Sequence, residues 1–409
     1  MVIPRSRDWR LVFSAYVVSQ IGSALTTIAL LARAYDIDGS LASVALVGLA
    51  KVIPPLFIAP LAGAAADRFS KRRLLAAANL CCMPLVLSMA FVESSLVLFL
   101  LTAAVSAAAT VGGPAELAFE AELVAEDQLL AAAGLRTVAG DLIAVVGPVT
   151  AGFLVVLTGS TTAFVVDAGT YATAAILVLC VRASGRPAGG AGPAAGGGPL
   201  HARPIRLVWQ SPQLRPIFIA FAATVLVAAV QGPVFYTYIR QELHATSAVF
   251  GLLLAALGAG SVVGTLLLTR RPGLVVRAGV LLVVVVLPVD GLAVALLGSV
   301  HSPVVICLCA FVMGSLTAVF GTLVRYTVQV ATDEHSRGRV FGLLFAIEGP
   351  LGAASLLVLP LMPAGTAPGT ILVGSGLMEL VAAAVAFLAY RQGRRMRPVP
   401  EQISAPVNA

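Results

Sequence analysis

Four carboxyl groups sit where a polypeptide rarely leaves one: Asp141, Asp290, Glu348 and Glu379 each fall inside a long run of apolar residues. An acid held away from water is costly, so its default role is to load and release a proton or to hold the cation of a bound molecule. These four are the candidate proton-coupling residues. At about 1.5 Å per helical residue, Asp141 lies about 10 Å past the start of its segment, Glu348 about 13 Å past Arg339, Glu379 about 18 Å before Arg391 and Asp290 about 20 Å past Arg277. Other chemistry finds no support. The chain has no Gly-x-x-x-x-Gly-Lys-Ser/Thr loop for a nucleotide phosphate. Its four histidines, at 201, 244, 301 and 335, make no constellation with a nucleophile or a metal ligand. Cys81, Cys82, Cys180, Cys307 and Cys309 all fall in apolar runs and read as small apolar residues. No catalytic residue, metal or cofactor is expected; a proton gradient would be the energy source.

The elements that must position these acids are membrane spans. Of 409 residues only 11% are charged and 59% are hydrophobic, and the mean hydropathy is +0.99. A span needs about 20 apolar residues, because only a helix satisfies every backbone group inside hydrocarbon about 30 Å thick. Twelve such segments can be traced, at about 12–34, 43–63, 74–92, 95–117, 134–157, 161–181, 215–238, 247–269, 275–298, 302–325, 340–361 and 369–390. The expected fold is therefore an all-α membrane protein of twelve transmembrane helices. Lysine and arginine are retained on the cytoplasmic side, and here all of them except Arg33, Lys51 and Arg240 fall in alternate loops and at the two ends. Both termini are then cytoplasmic. The net charge of +7 reflects topology, and no nucleic-acid partner is expected. The first apolar stretch lacks a cleavage site and reads as the first span rather than a signal peptide.

Residues 182–213 break the pattern with a Gly/Pro/Ala-rich run and read as a cytoplasmic linker. The layout is an N-terminal six-helix bundle over 1–181, the linker, a C-terminal six-helix bundle over 214–397 and a tail over 398–409. A faint repeat agrees: Asp127 precedes Asp141 by fourteen residues, as Glu334 precedes Glu348. Between the second and third spans, Gly63 is followed after three small residues by Asp67 and Arg68, then Lys71, Arg72 and Arg73. This spacing resembles the loop between helices two and three of the major facilitator superfamily. The resemblance implies two bundles that rock about a central cavity, with Asp67 contacting the start of the eleventh helix at Arg337 and Arg339 as part of a cytoplasmic gate.

A second resemblance lies in the fifth span, where Gly140, Gly147, Pro148 and Gly152 look like the Gly/Pro signature of exporters in this superfamily, with Ala151 where glycine is usual. Gly140, Ala144, Gly147 and Ala151 share one helical face, and the eighth span offers Ala256, Gly260 and Gly264 as its partner stripe. Many proton-coupled drug exporters of the family carry an arginine in helix four; here that span has none and instead ends at Glu116, with Glu120 and Glu122 following. Together with residues 333–342, this is similar to the branch containing macrolide-efflux proteins and the enterobactin exporter. The family places helices nine and twelve outside their bundles, which makes Asp290 and Glu379 the more peripheral acids. It lines the cavity with helices one and seven, so Gln20, Ser23 and Thr27, and Thr224, Gln231 and Tyr238, become substrate-cavity candidates beside apolar residues such as Phe235, Met313 and Phe320. Packing between helices would use the same polar side chains. Lys51 can snorkel to the outer interface or pair with Asp36 or Asp38.

The implied function is secondary export of a hydrophobic or amphipathic small molecule, such as a drug, siderophore or secondary metabolite, by proton antiport. An uptake symporter of the same fold and a transport-inactive scaffold or sensor are the alternatives. The partners are the small-molecule substrate and the lipid bilayer, with a monomer expected. High Ala, Gly, Arg and Val usage is compatible with a GC-rich bacterial genome, and the expected location is the plasma (inner) membrane.

Overall fold

The computed structural model describes residue 4 and residues 6–183, 202–270, 272–332, 334–363 and 365–395; the side chains of Asp67, Arg337 and several others lie outside the described set. The chain is helical throughout these residues: α1 (Arg7–Asp38), α2 (Leu41–Arg68), α3 (Lys71–Met89), α4 (Ser95–Glu122), α5 (Leu129–Leu179), α6 (Ala202–Gln210), α7 (Leu214–Gln241), α8 (Ser247–Thr269), α9 (Pro272–Leu297), α10 (Pro303–Ala331), α11 (Glu334–Val358) and α12 (Pro368–Arg395).

Local chemistry sets several boundaries. Ser6 caps α1 by accepting from the Trp9 amide at 3.3 Å. Gly39, at φ 62°, ends α1 in the left-handed conformation that costs glycine least, and Ser40 caps α2 straight afterwards. The first two spans are thereby joined by a two-residue turn. Helix α5 has 51 residues, about 77 Å at 1.5 Å each, far more than a bilayer needs. Gly159 breaks it at φ 83° and ψ 167°, giving two antiparallel arms. Among the described residues ten helices are long and apolar enough to cross a membrane, the undivided α5 included. Counting both arms of α5 and adding α9, the crossings match the twelve expected. Helix α6 was not anticipated: it occupies part of the stretch read as linker.

Helices α1 to α5 pack mainly on one another, as do α7 to α12, and the halves meet through α5 against α8 and α2 against α7 and α11. The apolar cores show how tightly each end is shut. One cluster crosses the halves, uniting Leu30 and Ala34 of α1 and Val44 and Val47 of α2 with Tyr236 of α7, Phe250 of α8 and Leu356 of α11. All these lie toward the end opposite the arginine clusters. At the basic end the cores are separate: Val12, Leu75, Phe119 and Val178 in the first half, and Leu214, Phe218, Leu323 and Leu344 in the second. With the basic end assigned to the cytoplasm by charge, the molecule is sealed on the outside.

Candidate functional site

Below the outer seal a cavity of about 260 Å³ lies between α1, the first arm of α5 and α8. Gln20, Ser23 and Thr27 line it from α1, at the spacing of one helical face, opposite Gly140 and Pro148 of α5 and Leu254 of α8. Span-one candidates and two members of the Gly/Pro motif thus come together. Thr27 donates to the Ser23 carbonyl at 2.8 Å and accepts from the Lys51 ammonium at 3.1 Å. Lys51 therefore pairs with neither Asp36 nor Asp38. Its turn of α2 faces the seam, since Gly48 and Leu56 on either side lie against Leu356 and Gly349 of α11.

The span-seven candidates divide. Thr224 donates to the Ala220 carbonyl of its own helix at 3.0 Å, and it and Gln231 are half-buried. Tyr238 is a correction: it is fully buried inside the second half and donates to the Val300 carbonyl at 2.7 Å. Seven-residue spacing drifts about 20° per heptad on a straight helix, enough to carry the last of three residues off the cavity face. Phe235, Met313 and Phe320 also lie buried in the apolar cores rather than on a cavity wall.

The glycine faces need correcting too. Gly152 lies so close to α8 that a Cβ there would be 2.7 Å from the Ser247 carbonyl oxygen, and a Cβ at Gly251 would run into the Pro148 carbonyl. Gly258 faces Ala144 and Val145. The α8 stripe that meets α5 is therefore Gly251 and Gly258. Gly260 and Gly264, taken as that stripe, instead lie against Phe311 and Ser315 of α10, while Gly147 faces Ala24 and Gly140 faces Tyr16 of α1. A helix with glycine on two faces serves two neighbours, and spacing alone does not say which face meets which.

Of the four acids, Asp141 and Glu348 are exposed, Asp141 directly after the cavity-lining Gly140. Asp290 and Glu379 are buried and face each other where α9 packs on α12. One oxygen of each is buried without a partner among the described residues. The gate motif is described in part. Lys71 is buried and paired with Glu122 of α4, Arg68 and Arg339 are exposed, Arg72 is half-buried, and no neighbour crowds Gly63. The expected contact of Asp67 with Arg337 falls outside the described side chains.

Two clusters were missed from the sequence. Asp167, in the second arm of α5, is only 1% exposed and accepts from Thr26 of α1 and from Thr170 at 2.9 Å. Gly22 of α1 lies directly over this carboxyl, with no room there for a side chain. The rule that selected the other acids, an ionisable group within a span, picks Asp167 as well. In the second cluster, Arg136 of α5 bonds Glu120 at 2.6 Å and Glu116 at 3.3 Å, both on α4, with its guanidinium 3.7 Å over the Tyr16 ring. The arginine absent from the fourth span is supplied to its acids from the fifth. Arg136 is thus a structural ion-pair partner, where charge placement alone had made it a topogenic residue.

Residues 12–356 match the family model described as Major Facilitator Superfamily. Among characterised proteins, the chain is 26% identical over 382 residues to the multidrug efflux pump Tap of Mycobacterium tuberculosis, covering 88% of each chain. It is 27% identical over 410 residues to the multidrug efflux pump Tap of Mycolicibacterium fortuitum, covering 92% of this chain and 95% of that one. Among solved structures, it resembles a bacterial homologue of the iron transporter ferroportin in an inward-facing state, with a TM-score of 0.75 at 14% identity over 95% of this chain and 98% of that one. The nucleoside transporter NupG superposes with a TM-score of 0.73 at 15% identity over 94% and 99%. At these identities the structural likenesses speak for the fold alone.

Proposed function

The chain belongs to the Major Facilitator Superfamily, a multi-pass membrane transporter of small molecules distantly related to multidrug efflux pumps, and from that premise we propose that it is a secondary active exporter of hydrophobic or amphipathic compounds driven by proton antiport. The observation that carries the reading is the similarity to the Tap efflux pumps along most of both chains. The outer end shut by one apolar core, with a cavity on the basic side of that seal, is the state in which an exporter loads from the cytoplasm, to release outward when the two bundles, about 1–181 and 214–397, rock about the seam. The cavity wall suits this cargo: mostly small and apolar residues, with Gln20, Ser23 and Thr27 to orient one polar group.

Asp141 and Glu348 are the coupling acids in this reading, because both are exposed within spans, where a proton can reach them. Protonating either weakens the hold on a cationic or hydrogen-bonded substrate, and by reciprocity substrate binding favours proton release. Asp290 and Glu379, locked together within the second half, act as a static pair. The similarity to macrolide-efflux proteins and the enterobactin exporter, a bacterial plasma-membrane location and a monomeric state belong to the same proposal.

The test is drug-dependent dissipation of a pH gradient in everted vesicles from an efflux-deficient bacterium, across a panel of antibiotics, dyes and siderophores. Particular compounds should dissipate the gradient, and the double variant Asp141→Asn/Glu348→Gln should not respond to them. Export that survives in the double variant would remove these acids from the mechanism, and net uptake of the responding compounds would reverse the direction.

A further inference from the structure

We propose that the pocket between α6, α7 and α11 binds one anionic phospholipid of the cytoplasmic leaflet, with Arg215 taking the headgroup phosphate and the pocket taking an acyl chain. The argument begins with α6. Nine residues are too few for a helix to stand alone in water, so packing must hold it. Ile205, Val208 and Trp209, at i, i+3 and i+4, form one apolar face, and Val208 is buried against the core of the second half. That face does not close on its neighbours. It leaves a pocket of about 280 Å³ walled by Ile205, Trp209, Phe218, Ile219 and Leu343, in which Arg215 is the one charged lining residue.

Arg215 has no counter-ion among the described residues. Its Nε is buried with no hydrogen-bond partner, its Nη2 makes only a 3.4 Å bond to Gln392, and no carboxylate pairs with it among the described residues. A half-buried guanidinium in that state is a ready site for an anion that can take two or more of its donors at once. Its guanidinium lies 5.8 Å from the Trp209 ring, whose indole is 56% exposed. Tryptophan beside arginine at a span end marks the headgroup level of a bilayer. Arg215 is one residue into α7 at the basic end, and anionic lipids are concentrated in the leaflet that end faces. Free phosphate would satisfy the charge but leave the apolar walls wet; a zwitterionic lipid would fill the pocket but neutralise its own charge. A lipid with a net negative headgroup satisfies both halves of the site. The site lies apart from the α1/α5/α8 cavity, so the inference rests only on the membrane orientation and not on the transported compound.

The experiment is thermal unfolding of the full-length protein in detergent, with lipid adducts counted by native mass spectrometry, titrated separately with phosphatidylglycerol, phosphatidylcholine and glycerol 1-phosphate. Phosphatidylglycerol should raise the unfolding temperature and leave a retained adduct, and the other two should not. Arg215→Gln should weaken the phosphatidylglycerol effect by about tenfold, the worth of one charge-assisted contact, whereas Arg206→Gln, on an exposed position of α6, should leave it intact. Ile219→Trp, which fills the pocket and keeps Arg215, should abolish the adduct and guards against poor folding of the arginine variant. Equal protection by phosphatidylcholine, equal protection by glycerol 1-phosphate, or an undiminished adduct in both Arg215→Gln and Ile219→Trp would each overturn the proposal.

Discussion

The carboxyl of Asp167 is the most fully enclosed polar group of the first half, and its surroundings decide what a substitution there does. Two hydroxyls donate into it, Thr26 from α1 across the helix interface and Thr170 from one turn along its own arm of α5, so one bond that water cannot replace joins α1 to the second arm of α5 and a local bond orients the carboxyl for it. An interhelical hydrogen bond in a membrane is worth about 0.6 kcal/mol and at most about 1.7, so Asp167→Ala, which removes that bond and the local one, should lower unfolding free energy by about 1–2 kcal/mol. Asp167→Asn keeps an acceptor for one hydroxyl and should lose less than half as much, both read from thermal unfolding in detergent. Equal losses would show that charge, not hydrogen bonding, holds the site. The acids at 141, 290, 348 and 379 and the polar stripe of α1 were legible because an ionisable or polar residue in an apolar run is conspicuous in one dimension. What was not legible is which acid faces which: that Asp290 meets Glu379, or that Arg136 reaches back to Glu116 and Glu120, depends on how helices far apart in sequence are set side by side.

At the scale of elements, glycine positions distinguish contacts that must break during transport from contacts that must not. Gly251 of α8 lies against the Pro148 carbonyl of α5, across the seam between halves, while Gly314 of α10 lies against the Leu257 backbone within the second half. Overpacking a close contact costs about 1–3 kcal/mol. Placed at the seam, that cost falls on the outer-closed state alone, so Gly251→Val should fold normally, shift the molecule toward outward opening by about five- to a hundredfold, and stop transport. Labelling of Gln241→Cys by an impermeant reagent from outside should rise accordingly. Gly314→Val puts the same cost on every state and should reduce the yield of folded protein without changing labelling. If both variants simply fail to fold, the α5/α8 contact is permanent and the seam lies elsewhere. Spans, caps and the kinked α5 could be anticipated from apolar length and from Gly and Pro. The partner of α5 on α8 could not, because Gly251, Gly258, Gly260 and Gly264 occupy two faces and only packing tells them apart. Helix α6 was hidden for a related reason: its apolar triplet is short and embedded in a Gly, Pro and Arg context.

For the whole molecule, the question is what keeps the outer end shut. Among the described residues, Arg240 reaches across the halves there to Asp36 at 3.6 Å and over the Tyr35 ring at 5.3 Å, and the Gln241 side chain donates to the Gly39 carbonyl at 2.9 Å. The ion pair is 31% and 53% exposed on its two sides, and pairs of that kind are worth about 0–1 kcal/mol. The apolar core is the stronger term. Leu356 of α11 is 2% exposed and rests on Gly48 of α2 across the seam, and truncating a buried leucine costs about 2–5 kcal/mol. Even if only about 2 kcal/mol of that belongs to the seam, the ratio of outer-closed to outward-open molecules falls by roughly thirtyfold. Spin labels at the outer ends of α2 and α11 should therefore report a long-distance, outward-open population that grows strongly in Leu356→Ala and less than about fivefold in Arg240→Gln. The opposite order would make the outer seal electrostatic, and it should then weaken with ionic strength. An apolar seal has a functional corollary. Because it is broken by whatever wets or wedges it, the amphipathic cargo of the proposed export reaction, arriving in the cavity just beneath, would open it by its own solvation, without any specific contact to a gate residue. If that proposal holds, this is a simple physical route by which one transporter would handle compounds that share little beyond their amphipathic character.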